Sequence, residues 1–66
     1  MRMGITFYLV GGRVVHWDMP TAQGEAILNL MQAGAPWVAI DDPDDGTTRA
    51  LAQAHITSFD VVRNRG

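Results

Sequence analysis

Ile5-Thr6-Phe7-Tyr8-Leu9-Val10-Gly11-Gly12-Arg13-Val14-Val15-His16-Trp17 is the stretch on which the fold turns. Two β-prone runs flank Gly11-Gly12, and both central positions of a type I′ turn need φ > 0. A two-residue loop predicts Leu9 opposite Val14, Tyr8 opposite Val15, Phe7 opposite His16 and Thr6 opposite Trp17. One face then carries Ile5, Phe7, Leu9, Val14 and His16. The other carries Thr6, Tyr8, Val10, Arg13, Val15 and Trp17. A sheet solvated on one side shows one polar face. Neither face is polar in this register, so the second is expected to meet a partner, most simply another copy of the chain.

The chain has 66 residues and no cysteine. A domain of this length buries only about 60% of the surface of its unfolded chain, and no disulfide can brace it. Oligomerisation is the usual remaining support. Hydrophobic residues make up 47% of the sequence, a globular rather than a disordered composition. All five basic residues are Arg, which with frequent Ala, Gly and Asp suggests high-GC coding and a bacterial or phage source. The net charge is −2, with the acids gathered in Asp41, Asp42, Asp44 and Asp45 and the bases dispersed, unlike the basic footprint of a duplex-DNA binder. No run is long enough for a membrane span, and the apolar start lacks a signal-peptide cleavage site. A cytoplasmic protein is expected.

Beyond the hairpin, Pro20 stops the strand and Thr21 is the expected N-cap, with Asp18 as an alternative. A helix is predicted over about Ala22 to Ala33, with Gly24, Ile27, Leu28 and Met31 on one stripe and Leu30 widening it. Gly24 lowers helix propensity but allows close approach to the sheet. Gly34 and Pro36 end the helix. Trp37–Ile40 reads as a strand, Asp41–Gly46 as a loop, and Thr47–Ala52 as its hairpin partner. Gln53–His55 is a short break, Ile56–Val62 a last strand, and 63–66 a flexible tail. The whole of 1–66 reads as one α+β domain of order β-β-α-β-β-β, a mostly antiparallel curved sheet or small barrel with one helix. In architecture alone this resembles Sm-like and other small oligomeric barrels. No motif carries the likeness, so no function follows from it.

Candidate chemistries fare poorly. An EF-hand alignment on Gly46 puts Pro43 and Ala52 at ligand positions, so an acidic surface loop is expected. His16 and His55, with no Cys and no tight spacing, make no metal motif. His55, Ser58 and Asp60 are the residue types of a hydrolytic triad, but Ser58 and Asp60 alternate onto one strand face rather than flanking a His. Gly11-Gly12 lies between strands and lacks the helix of a phosphate loop. Tyr8, Trp17, Phe7 and Phe59 could stack bases, yet aromatics with Arg also mark protein interfaces, and the acidic charge favours the latter.

The sequence therefore predicts a non-enzymatic, homo-oligomeric module that binds a protein partner, with no cofactor and no metal. Tyr8, Val10, Arg13, Val15 and Trp17 are its expected interface, with Trp37 as a second anchor. One alternative is a small-ligand or nucleotide site at a subunit interface near Arg13, His16 and Trp17. Weak single-stranded nucleic-acid binding is another.

Overall fold

The computed structural model of the chain describes residues 1–42 and 45–63. The elements are β1 (Arg2–Leu9), β2 (Val14–Pro20), α1 (Thr21–Gln32), β3 (Trp37–Asp42), β4 (Thr47–Ala52), a 3₁₀ turn (Gln53–His55) and β5 (Ile56–Arg63). This is the predicted α+β order. The strands form two antiparallel sheets, β2-β1-β5 and β3-β4. Asp41 and Asp42 extend β3 instead of opening the acidic loop, opposite Thr48 and Thr47. The centre of that loop, Pro43-Asp44, and the tail 64–66 lie outside the described residues, while Arg63 belongs to β5.

The first hairpin corrects the sequence reading. Its loop has three residues, because Val10 leaves the strand. Leu9 N–H donates to the Arg13 carbonyl at 2.8 Å, and Gly12 N–H donates back to the Leu9 carbonyl at 3.2 Å. Gly11 and Gly12 do adopt positive φ, 87° and 82°. The third residue of the turn, Gly11, thus sits where a type II turn requires φ > 0. The register becomes Tyr8–Val14, Phe7–Val15, Thr6–His16, Ile5–Trp17, Gly4–Asp18 and Met3–Met19. A slip of one residue turns every β2 side chain to the other face.

The consequence is a sheet with one apolar and one polar face. Met3, Ile5, Phe7, Leu9, Val15, Trp17 and Met19 now share a side. Gly4, Thr6, Tyr8, Val14, His16 and Asp18 share the other. Trp17 is only 9% exposed and meets Phe7 edge-on, ring centroids 5.5 Å apart. Tyr8 points away from Val15 and Trp17, so these three do not form one interface face. The physical reason is burial: this register opposes apolar residues with apolar residues, whereas the two-residue loop would set His16 against Phe7 in the core.

Helix α1 closes over the apolar face. Ile27 and Met31 join the core with Val38 and Ile40 of β3, and Val15, Leu28, Leu51, Ile56 and Val61 pack around it. Pro20, not Thr21, is the capping residue, and Thr21 begins the helix. Pro20 presets an extended entry but offers no capping oxygen, and the buried Thr21 hydroxyl has no partner among the described residues. Gly24 has the predicted role: a Cβ there would overlap Met3 Sδ and crowd its Cγ at 3.2 Å. Gly34, at φ 83°, ends the helix in the left-handed conformation and donates to the Met31 carbonyl at 3.1 Å. Gln53 N–H donates to the Pro36 carbonyl, and Val10 N–H donates to the His55 carbonyl, so the 3₁₀ turn ties the second sheet back to the first.

Truncating a buried aromatic costs about 3–5 kcal/mol. A chain of 66 residues has roughly 3–10 kcal/mol of stability to lose. Trp17→Ala should therefore remove about 3–5 kcal/mol, a third or more of that stability, independently of protein concentration. Urea titration followed by circular dichroism checks this; a midpoint close to the parent's would place Trp17 outside the core.

Candidate functional site

β2 ends the three-stranded sheet, and no strand among the described residues pairs with its outer edge. Along that edge runs a cleft of about 720 Å³, bounded across by β3 and β4. Its apolar lining comes from Val15, Trp17 and Met19 of β2 and Ile40 of β3. Arg2, His16, Asp18 and Gln23 line it on the near side, Asp41 and Arg49 on the far side. Charges of both signs thus surround an apolar strip.

The pairing phase shows which main-chain groups enter the cleft. Hydrogen-bonded pairs recur at every second residue of an antiparallel ladder. Leu9–Arg13 is such a pair, so Phe7–Val15, Ile5–Trp17 and Met3–Met19 are too. The N–H and C=O groups of His16 and Asp18 then point away from β1. Pro20 falls in the same phase, where its missing N–H leaves the β1–β2 ladder intact. A strand laid against this edge finds donors and acceptors at His16 and Asp18.

Several polar lining groups already have partners. The Thr48 hydroxyl donates to Asp41 at 2.7 Å. Arg49 lies 3.7 Å from Asp45, whose carboxyl is held below its ordinary range because the Thr47 hydroxyl and N–H both donate to it. His16 is bracketed on the outer sheet face, Nδ1 2.9 Å from the Thr6 hydroxyl and Nε2 3.2 Å from Asp18. Hydroxyl, imidazole and carboxylate in that sequence are the parts of a hydrolytic relay. Here the His16 and Asp18 side chains are 52% and 65% exposed on an open sheet face, and the contacts orient the ring.

The predicted site residues scatter. Val15, His16 and Trp17 line the cleft; Arg13 does not, because it stands at the turn. Tyr8 is on the outer face, Val10 is in the loop, and Val15 is on the inner face of β2. Trp37, 60% exposed, begins β3 opposite Ala52. Asp60 accepts from the Tyr8 hydroxyl at 2.8 Å, and no hydrogen bond among the described residues joins His55, Ser58 and Asp60. Among those residues no group of three or more His, Cys, Asp or Glu could hold a metal, and no helix is long and apolar enough to cross a membrane. The sequence reading missed Arg2, Gln23 and Ile40, which line the cleft in the folded chain. It had one usable signal, since Pro20 at the end of β2 marks an edge strand. No protein-family model matches the chain, no curated protein matches it in sequence, and no solved structure matches it.

The chain has one tyrosine, so absorbance titration reads Tyr8 alone. Its hydrogen bond to the Asp60 carboxylate, reinforced by the charge, raises its pKa above the ordinary 10.0. The raised value means the contact supports the fold below the ordinary pKa and is lost as pH rises through the shifted one. Asp60→Ala should bring the phenolate midpoint down to the ordinary value. An unchanged midpoint would show that the contact does not form in solution.

Proposed function

We propose that this chain is a non-enzymatic interaction module that takes up an extended segment of a protein partner by adding it as a strand to the free edge of β2. The observation that carries this reading is the unpaired β2 edge lying along an apolar-lined cleft. Main-chain pairing would supply affinity, and alternate side chains of the guest would supply specificity. Inward residues of the guest meet Val15, Trp17, Met19 and Ile40, and so should be apolar. Outward residues meet His16 and Asp18, and so should be polar or basic. Arg2 and Arg49, each balanced by a carboxylate on its own side of the cleft, Asp18 and Asp41, argue against a nucleic-acid backbone, as does the net charge of −2.

A small ligand in the same cleft is the second reading. It is favoured by the volume, which lies within the range of about 300–1,000 Å³ common for ligand pockets. Substitution of the edge separates the two. Asp18→Pro removes an outward N–H while sparing the β1–β2 ladder; Asp18→Asn keeps the N–H and removes the charge.

Panning a random peptide library on the immobilised protein should enrich sequences that alternate apolar and polar residues. Their affinity, by calorimetry, should fall about tenfold or more for Asp18→Pro, in keeping with the loss of a buried main-chain pairing, and stay near the parent's for Asp18→Asn. Circular dichroism checks that both variants fold. No enrichment, or equal affinity for parent and Asp18→Pro, would contradict strand addition; binders that ignore the proline would support the small-ligand reading of the cleft.

A further inference from the structure

The opposite edge of the same sheet carries a second surface with a different character. β5 pairs with β1 on one side, and no described strand pairs with the other. Between β5 and α1 lies an apolar groove of about 380 Å³ lined by Leu28, Met31, Gln32, Gln53, Phe59 and Val61. Phe59 sits opposite Phe7 on the core face, with ring centroids 6.3 Å apart, yet it is 40% exposed. It is a core-facing aromatic that α1 leaves half covered.

The phase of β5 follows from that of β1. The odd residues of β1 bond to β2, so Gly4 and Thr6 bond to their β5 partners, Val62 and Asp60. The main-chain groups of Phe59 and Val61 therefore point to the free edge. Two copies of this edge can pair antiparallel about a two-fold axis that keeps both apolar faces on one side, which is an isologous contact. Within the stretch Phe59–Val61, three placements of the axis bring the outward groups into register. An axis at Asp60 sets Asp60 opposite Asp60 of the second copy, and like charges directly opposite are destabilising. An axis at Val61 sets the Asp60 carboxylate against Val62. An axis at Phe59 sets Phe59 against its own copy, Thr57 against Val61, and the Ser58 hydroxyl against the Asp60 carboxylate. Only this last placement joins aromatic to aromatic and donor to acceptor at once.

We propose that two copies of this chain dimerise through the β5 edge, antiparallel about Phe59, forming a continuous six-stranded sheet and covering the groove beside α1. The occupant is a second copy because the edge complements itself in charge and shape only in this register. The surface is separate from the β2 edge, so its failure and that of peptide uptake are read independently.

Sedimentation velocity from micromolar to millimolar concentration should show a mass of two 7.2 kDa chains at the upper end. Ser58 is exposed on the outer face, so its replacement leaves the core untouched. Ser58→Arg, facing Asp60 of the second copy twice by symmetry, should tighten the dimer about tenfold, and Ser58→Asp should weaken it about tenfold. A mass of one chain at all concentrations would overturn the proposal. So would a dimer indifferent to both substitutions, which would assemble through some other surface.

Discussion

The register of the first hairpin, with Ile5 opposite Trp17, is the constraint on which the remaining structure depends. β1 is the centre of its sheet, bonded to β2 on one edge and β5 on the other. Whatever sets β1 against β2 also decides which side of the sheet is apolar, and so where α1 must lie. The three-residue loop brings Met3, Ile5, Phe7 and Leu9 to the same side as Val15, Trp17 and Met19. That side alone supplies most of the core, and Gly24 lets the helix come down on Met3. A chain this short has no second core to fall back on.

The same economy explains why the edges are open. The twelve-residue helix α1 lies over β1 and β2 and leaves the β5 margin largely exposed. At the β2 margin the cleft has a floor of largely buried apolar side chains and charged walls, the strip proposed to take a guest strand. At the β5 margin it is an aromatic and a valine beside the helix, suited to its own image. Among the described residues both margins present main-chain groups that no strand pairs, which an isolated small sheet satisfies only with water or with a partner. The polar outer face, by contrast, is internally satisfied through Thr6–His16–Asp18 and Tyr8–Asp60.

Much of this was legible in the residues. The element order, the helix to within a residue at each end, the terminating role of Gly34 and the packing role of Gly24 follow from spacing and backbone preference. The register was misread because Gly-Gly serves a two-residue and a three-residue loop equally well; both use glycine at positive φ. A discriminating signal lay outside the turn. Extending the strands to Met3 and Met19 opposes methionine with methionine only when Val10 is in the loop. The misreading also produced an apparent second apolar face, and with it Trp17 and Val15 as interface residues. The reach of β3 through Asp41 was hidden because Asp signals a turn, whereas here the Thr48 hydroxyl satisfies its carboxylate within the ladder. The cleft could not be seen in one dimension: Ile40 and Arg49 meet β2 only once the second sheet is folded across it.

Nuclear Overhauser contacts between Hα protons test the central claim most directly. In an antiparallel pair, Hα atoms approach closely only across non-hydrogen-bonded pairs, where the Cα atoms are about 4.5 Å apart. This account predicts strong Hα–Hα contacts for Tyr8–Val14, Thr6–His16 and Gly4–Asp18, the non-hydrogen-bonded pairs of the observed register. Contacts between Leu9 and Val14, or between Phe7 and His16, which are the non-hydrogen-bonded pairs of the alternative register, would mean the two-residue loop. They would turn Trp17 out of the core and contradict both the apolar face and the edges built upon it.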